Sequence, residues 1–317
     1  MPLHELYSHP YRKIFKASVC SKAAFFQLVT FALTVICPLL IAYRSQGFWV
    51  KINTYREMPS VHFKYDYLIY LQGDRPDAYL LWTSFAGLAQ LEDSHLRVPV
   101  MRIYEPDVDR DGKADYAQMT ATWPLHEDER VHEVVIMLIF DYRLELHSRF
   151  QMQTMAYGKY ESMSGGVALN IDSDMRISQK APLRYRGVDT RFDTPIVNGT
   201  SLDGESYRFS NILKHYQSRN ISTKLESVTS SWTPGNAGLT GSFQLNLRIN
   251  YYADTFEYWT GFWELMKWAW IQYLSILLVF IFIMGRIREY VFQNRLVTTV
   301  PVNDQQLLSA LMARGQG

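Results

Sequence analysis

Two long runs without a charged residue dominate the hydrophobicity pattern of this sequence. The first is "AAFFQLVTFALTVICPLLIAY", the 21 residues 23–43 between Lys22 and Arg44, and the second is the 18 residues 268–285. A helix of 21 residues spans roughly 31 Å, and 18 residues lie near the lower limit for crossing a bilayer. Lipid offers no partner to backbone polar groups, so each run is predicted to be a transmembrane helix, with a buried core helix as the alternative.

The first run could instead belong to a cleaved signal peptide. Its apolar part is too long for that role, and 22 residues precede it. The sequence "IAYRSQGFW" that follows has bulky and charged residues where small ones mark a cleavage site. A retained membrane anchor is therefore the favoured interpretation.

Basic residues at the flanks predict the orientation. Residues 1–22 carry four Lys or Arg against one Glu, and residues 286–317 carry four Arg against two acids. Because cytoplasmic flanks are enriched in basic residues, both termini are predicted to be cytoplasmic. Aromatic residues such as Trp49 and Trp263 near the opposite ends are typical of a membrane interface. The predicted order is a tail (1–22), a first helix (23–43), a luminal or extracellular domain (44–267), a second helix (268–285) and a tail (286–317).

Alternation of apolar and polar residues characterises the middle of the chain. It covers residues 61–71, where Tyr65 falls on the apolar side, and residues 243–251. A period of two predicts strands with one buried face, and the continuously apolar residues 134–140 predict a central strand buried on both faces. Apolar residues at helical spacing predict one helix at 206–217, so the domain is predicted to be all-β and antiparallel, similar to a β-sandwich, with a short helix. Further strands are predicted at residues 79–85, 96–104, 116–123, 132–146, 150–157, 167–171 and 175–179.

Charge and cysteine content narrow the class of protein. The 317 residues carry a net charge of +1, which gives no argument for a nucleic-acid partner. The two cysteines, Cys20 and Cys37, lie outside the predicted luminal domain, which therefore has no disulfide and depends on core burial. Cys20 next to the membrane is either a palmitoylation site or an unmodified thiol.

The sequence "DVDRDGKADYAQ", residues 107–118, matches most of a calcium-binding loop. Aspartates occupy its positions 1, 3, 5 and 9, Gly112 gives the sharp turn, and the last position has a Gln where a bidentate Glu is usual. The flanks are predicted strands, so a weak structural calcium site is expected rather than an EF-hand; the alternative is ordinary Asp/Gly turn chemistry. The predicted ligands are Asp107, Asp109, Asp111, Asp115 and Gln118.

Two sequons, at Asn198 and Asn220, lie in the predicted luminal domain and predict N-glycosylation. Catalytic motifs are missing: the sequence contains no G-x-S-x-G and no phosphate-binding loop. His126 and His132 are six residues apart, which matches no standard zinc spacing. The sequence therefore predicts a protein that is not an enzyme and has no small-molecule substrate.

Uncharged polar residues interrupt both apolar runs and could form hydrogen bonds between helices. No charged residue lies inside either run, which argues against an ion pathway. Pro38 predicts a kink, and residues 286–302 predict a basic amphipathic extension of the second helix. The polar residues are Gln27, Thr30, Thr34, Gln272 and Ser275.

Six segments between residues 5 and 302 carry a family resemblance. They are "ELYSHP", "VCSKAAFF", "RSQGFWVK", "PIVNGTS", "GFWELMKWAWIQYLSILLVF" and "VFQNRLVTTVPV". By the number and order of these segments the chain resembles the transmembrane protein 231 family. None of them is a catalytic motif.

The resemblance implies a component of the tectonic-like complex, or MKS module, in the ciliary membrane at the transition zone. Such a component would act in the diffusion barrier between ciliary and plasma membranes, and would be needed for ciliogenesis and Hedgehog signalling. The implied partners are tectonic proteins, B9-domain proteins, other transition-zone membrane proteins and membrane lipid. The alternative is a two-span ion-channel or receptor accessory subunit, although such ectodomains are typically rich in disulfides.

Overall fold

The computed structural model describes residues 14–302. The outer parts of the two predicted tails, residues 1–13 and 303–317, lie outside the described residues. Along the chain the elements are β1 (Ile14–Lys16), α1 (Lys22–Arg44), β2 (Ile52–Glu57), β3 (Ser60–Gln72), β4 (Tyr79–Thr83), α2 (Ala86–Leu91), β5 (Val100–Tyr104), β6 (Tyr116–Pro124), β7 (Glu133–Leu144), β8 (Arg149–Glu161), β9 (Ala168–Gln179), β10 (Val188–Phe192), α3 (Phe209–Gln217), β11 (Ile221–Thr233), α4 (Ala237–Thr240), β12 (Ser242–Tyr251), β13 (Asp254–Trp259), α5 (Phe262–Gln293) and β14 (Val300–Val302).

Contacts divide the chain into two compact units. One, called here the helical hairpin, contains α1 and α5 with β1 and β14; the other, called the β domain, is Ile52–Gly261. Both long helices are apolar enough to cross a membrane, and both expose most of their surface. The predicted fold class, an N-terminal and a C-terminal candidate membrane helix with a β-rich domain between them in the chain, is thereby confirmed.

Local sequence explains where α1 begins and ends. The Ser21 side chain accepts a hydrogen bond from the Ala24 N–H at 3.2 Å, which satisfies one unpaired donor of the first turn. Arg44 lies in the last turn, where a positive charge interacts favourably with the helix dipole. Pro38 lies inside α1, and the helix continues beyond it to Arg44.

The second helix extends beyond the apolar run at both ends. It begins six residues before residue 268 and continues eight residues past residue 285. In its last turns Glu289 accepts hydrogen bonds from Arg286 at 3.2 Å and from Gln293 at 3.0 Å. The uncharged run therefore marks only the apolar part of α5. Beyond that run, side-chain pairs three and four residues apart stabilise the polar end of the helix.

Two five-stranded sheets pack face to face in the β domain. Their strand orders are β10-β8-β7-β3-β4 and β11-β9-β12-β6-β5. The shared core contains large side chains from both sheets, and Trp123, Phe140 and Phe243 in it are completely buried. Residues 134–140 of β7 are at most 4% exposed because α3 covers the outer face of their sheet through Ile212 and Tyr216. The prediction of a strand buried on both faces is confirmed.

The sheets are mixed rather than purely antiparallel. β12 pairs parallel to β9, and β10 pairs parallel to β8. A parallel pair needs a long crossover, and the chain between β9 and β12 provides one that includes α3 and β11. The prediction of separate strands at 167–171 and 175–179 is wrong, because both belong to the continuous strand β9.

A bulge in β3 corrects one predicted orientation. Tyr65 has a positive φ of 62°, and the register with β7 shifts between Phe63 and Asp66. The extra residue moves Tyr65 out of the alternation, so its side chain is 65% exposed instead of facing the core.

The β domain is closed at its own ends by a separate two-stranded sheet. β2 pairs antiparallel with β13 over six residue pairs, from Ile52 opposite Trp259 to Glu57 opposite Asp254. The chain therefore enters and leaves the domain side by side. This closure takes the place of a disulfide in a domain that has no cysteine.

Candidate functional site

The predicted calcium loop connects β5 to β6 and is folded around its own carboxylates. Oxygen atoms of Asp107, Asp109 and Asp115 lie within 4.8 Å of one another. The Asp107 carboxylate accepts from the Gly112 N–H at 2.9 Å, and the Asp115 carboxylate accepts from the Val108 N–H at 2.6 Å. Gly112 has a φ of +89°, which favours glycine at this turn.

The other two predicted ligands have different partners. The Asp111 carboxylate accepts from the Lys113 N–H at 2.8 Å and does not belong to the group of three. Gln118 lies in β6, where its side-chain oxygen accepts from the Tyr104 hydroxyl at 2.6 Å. The structure therefore brings together three of the five residues.

Negative charge accumulates in this loop. The Asp111 N–H lowers the pKa of the Asp109 carboxyl, but desolvation and the charges of Asp111 and Asp115 outweigh that bond, so the pKa is raised. The Lys113 ammonium donates to the Met58 carbonyl rather than to these carboxylates. Three carboxylates at this spacing, two exposed and one half-buried, offer oxygen ligands of the kind a hard divalent cation prefers. Their own backbone hydrogen bonds are also those of an ordinary Asp-rich turn.

The two sequons differ in their surroundings. Asn198 is exposed in a turn, and its side-chain oxygen accepts from the Thr200 hydroxyl at 3.0 Å. Asn220 is exposed between α3 and β11, but Ser222 of the same sequon lies in β11 and is only 7% exposed. Both asparagines are accessible, while only the first sequon keeps its hydroxyl residue accessible in the folded domain.

One serine–histidine–carboxylate contact escaped the sequence analysis. Ser60 Oγ lies 3.2 Å from His62 Nε2, and His62 Nδ1 lies 3.8 Å from a Glu105 oxygen. The longer distance exceeds that of a hydrogen bond, and Glu105 already accepts from the Phe63 N–H at 2.8 Å. Ser60 and His62 lie two residues apart on the same face of β3, where Ser60 is half-buried and His62 is exposed. This geometry is that of a surface polar contact and gives no support to nucleophilic catalysis.

Small side chains form the contact between α1 and α5. Ala42 and Thr30 on α1 are almost completely buried, and so is Ala269 on α5. Small residues let two helix backbones approach closely in a membrane. At the opposite end of the hairpin, Phe292 packs against Phe15 and Phe26 with ring centroids 5.8 and 6.1 Å apart.

Most of the polar residues in the helices bond to their own backbone. The hydroxyls of Thr30, Thr34 and Ser275 each donate to a carbonyl four residues earlier, at 2.7 to 2.8 Å. Gln27 is exposed, and Gln272 has a buried side-chain oxygen with no partner among residues 14–302. The predicted bonds between helices are therefore not formed by the three hydroxyls.

One sheet edge of the β domain is open. β5 is the last strand of its sheet. Val98, just before it, is 63% exposed, and Val100 and Tyr104 within it are 71% and 51% exposed. Arg102 is exposed between them and has no ion pair in the described part of the chain. By contrast, the outer strand β11 carries a bulge with a positive φ at Ser227, which blunts that edge. Residues 98–104 are called the β5 edge below.

Comparison with known proteins covers almost the whole chain. The model of the family described as transmembrane protein 231 matches residues 1–301. Transmembrane protein 231 of Mus musculus is 42% identical over 95% of this chain and 96% of its own length. The Homo sapiens protein of that name is 40% identical over the same shares, and the Gallus gallus protein is 39% identical over 98% of both chains. The similarity therefore includes both helices and the complete β domain.

Proposed function

The chain belongs to the transmembrane protein 231 family, and on that basis we propose that it is a non-enzymatic scaffold component of the tectonic-like (MKS) complex at the ciliary transition zone. Its role there is to contribute to the diffusion barrier between the ciliary and plasma membranes, and so to ciliogenesis and Hedgehog signalling. The observation that carries the proposal is the family match over residues 1–301, together with relatives similar over 95% of the chain. Tectonic proteins, B9-domain proteins and other transition-zone membrane proteins are its proposed partners.

The geometry supports a scaffold role. Two helices that are long and apolar enough to cross a membrane flank a large β domain in the chain, and the chain enters and leaves that domain side by side. Such an arrangement presents a folded surface to neighbouring proteins. We place both termini in the cytoplasm from the basic flanks, and the β domain then lies on the luminal or extracellular side.

The β5 edge is our candidate partner interface. An exposed edge strand offers unpaired backbone groups to which another strand can add. Pairing with a second copy about Arg102 would place two arginines opposite each other, which is destabilising. The occupant we propose is therefore a strand of another protein with an acidic residue facing Arg102 and apolar residues facing Val100 and Tyr104.

The proposal is tested by affinity purification and crosslinking mass spectrometry of the tagged chain from ciliated cells. We expect the wild type to recover tectonic and B9-domain proteins. Val100→Lys should reduce that recovery, because it places a charged side chain where an apolar residue of the partner would pack. Val228→Lys, on the blunted β11 edge, is the matched control and should leave recovery unchanged.

Two outcomes would count against the proposal in different ways. If the wild type recovers no transition-zone protein, the scaffold role is wrong. If Val100→Lys and Val228→Lys recover the same proteins as the wild type, the role stands but the β5 edge is not the interface.

The alternative function is that of an ion-channel or receptor accessory subunit. The exposed Gln27 on α1 favours it, because a polar side chain on an apolar helix can bond to a helix of another protein. This alternative predicts that the chain changes the current of a co-expressed channel. Patch recording with and without the chain distinguishes the two functions.

A further inference from the structure

An apolar cleft of about 570 Å³ lies between α1 and α5, close to the ends that continue into the β domain. Cavities of roughly 300–1,000 Å³ lined mainly by apolar side chains are the usual size and chemistry of small-molecule sites. Four residues of α5 border the cleft, namely Met266, Ala269, Trp270 and Tyr273, and the seven-residue separation of the first and last gives it a height of roughly 10 Å. Its aromatic walls are Tyr43, Phe48, Trp49, Trp270 and Tyr273.

The packing of the hairpin explains why the cleft exists. Ala42 and Ala269 bring the helices into close contact, and Phe48 packs against both of them. The chain reaches Phe48 through a turn at Gly47, whose φ of +91° is one that side chains rarely adopt. The Phe48 ring meets the Tyr43 ring edge-on at 6.2 Å and so fixes one wall of the cleft. The cleft is therefore a built feature and not a gap left by loose packing.

The polar atoms at the cleft are few and uncharged. The lining includes two tyrosine hydroxyls and two indole N–H groups but no Lys, Arg, Asp or Glu. Neither the Tyr43 nor the Tyr273 hydroxyl has a hydrogen-bond partner within residues 14–302. Tyrosine and tryptophan prefer the membrane interface, where an apolar body lies in lipid and the polar tip remains accessible. The cleft thus combines an apolar body with a small neutral polar rim.

We propose that this cleft binds a membrane sterol, with the fused rings against Phe48 and Trp270 and the hydroxyl bonded to Tyr43 or Tyr273. A sterol has the required chemistry, a rigid apolar body with one uncharged hydroxyl. A phospholipid would bring a phosphate, for which the lining provides no cation. Lys267, Tyr273 and Leu277 also match a basic–aromatic–aliphatic pattern suggested for cholesterol contact, which is too short to assign the site alone.

A partner helix fits the cleft less well than a sterol. Helices associate in membranes through stripes of small residues, and here Ala42 and Ala269 are already covered by each other's helix. What remains accessible is bulky and aromatic. The sterol site concerns the helical hairpin only, so it is independent of the β5 edge and of the proposed scaffold role.

The test uses the purified full-length chain in phosphatidylcholine nanodiscs with a photoreactive, clickable cholesterol probe. We expect saturable labelling that unlabelled cholesterol competes away, on peptides containing residues 39–49 or 266–273. Leu40→Trp should lower the labelling about tenfold, because Leu40 is 60% exposed and the larger ring would fill the cleft. Leu33→Trp is the matched control, since it places the same ring at another exposed position of α1 outside the lining, and it should label like the wild type.

A second pair of measurements tests the hydroxyl contact. The Tyr43→Phe/Tyr273→Phe double variant keeps both rings and removes both hydroxyls. With the cholesterol probe, the double variant should be labelled more weakly than the wild type. With a probe whose hydroxyl is methylated, the double variant and the wild type should be labelled equally. Size-exclusion elution identical to that of the wild type shows that each variant is folded.

Three results would overturn the sterol site. Equal labelling of Leu40→Trp and the wild type would place the sterol elsewhere. A photoreactive phosphatidylcholine that labels the same peptides and competes with cholesterol would show an unselective acyl-chain groove. Absence of saturable labelling in the wild type would mean that no sterol binds.

Discussion

Replacing Tyr216 with Phe should destabilise the β domain, because one hydroxyl connects its two sheets. The Tyr216 oxygen accepts hydrogen bonds from the Met155 N–H at 3.2 Å in β8 and from the Thr223 N–H at 2.8 Å in β11. It also lies 2.9 Å from the Thr154 hydroxyl and 3.0 Å from the Thr223 hydroxyl. β8 and β11 belong to different sheets, so this buried oxygen of α3 bonds to both, beside a direct bond from the Thr223 hydroxyl to the Met155 carbonyl at 3.2 Å.

The expected magnitude follows from the groups left without a partner. Phenylalanine would fill the same space but leave two buried backbone N–H groups unpaired, and each costs about 1–3 kcal/mol. A total of about 3 kcal/mol allows for partial relaxation of the site. For a domain of the size of Ile52–Gly261, 1 kcal/mol shifts Tm by about 2–4 °C, so the expected decrease in Tm is about 6–12 °C.

The assay is thermal unfolding of the purified full-length chain, followed by differential scanning fluorimetry. Tyr157→Phe is the matched control, since Tyr157 packs on Phe209 of the same helix and its hydroxyl has no partner among the described residues. The control should change Tm by less than about 2 °C, as expected for a substitution that leaves no buried group unpaired. If Tyr216→Phe lowers Tm no more than the control does, the hydroxyl does not join the sheets and the reasoning is wrong.

Three further predictions use the same chain. Millimolar calcium should raise Tm by about 1–6 °C if the acidic loop binds with a Kd of about 0.1–1 mM, and Asp109→Asn should abolish the shift; an unchanged Tm on chelation would contradict a structural metal. Glycosidase should increase gel mobility, and Asn198→Gln should remove more glycan than Asn220→Gln because only the first sequon has an accessible hydroxyl residue; unchanged mobility would exclude occupancy of both. The Arg191 side chain lowers the pKa of the Asp189 carboxyl by hydrogen bonding. The ionised carboxylate therefore stabilises the folded state at any pH above the pKa that Asp189 has in the unfolded chain. This stabilisation is lost as the pH falls through the lower pKa of the folded state. Asp189→Asn should therefore lower Tm at pH 7 and make little difference at low pH, and an equal loss at both would point to packing instead.

The sequence predicted the strongly patterned elements and missed those with little buried surface. The central strands β3, β7 and β12 follow periodicity because they bury one or both faces in the core. By contrast, β11 is an edge strand whose residues are mostly exposed after its first three, so its sequence shows no apolar alternation. β2 and β13 form a small separate sheet, and β10 is a short edge strand, so neither pattern nor length identified them.

The candidate sites could be predicted from the sequence to different degrees. Asp107 and Asp109 are close in the chain, so a tight turn was enough to place them together with Asp115. Gln118 failed to join them because β6 begins at Tyr116 and carries it into a paired strand. The cleft between α1 and α5 was not predicted, because a short basic–aromatic–aliphatic pattern does not show which faces of the two helices meet. That arrangement follows from small residues more than two hundred positions apart.

Pairing of the outermost described strands constrains the membrane topology independently of charge. β1 precedes α1 and β14 follows α5, and the two strands are hydrogen-bonded from Ile14 opposite Val302 to Lys16 opposite Val300. Two strands that are hydrogen-bonded to each other lie only about 4.8 Å apart, so they cannot lie on opposite sides of a hydrocarbon core about 30 Å thick. With both helices crossing the membrane, the segments flanking the hairpin must share one side. The basic flanks are then needed only to decide which side of the membrane that is. If the orientation predicted from the basic residues were reversed, the two flanking segments would still share one side.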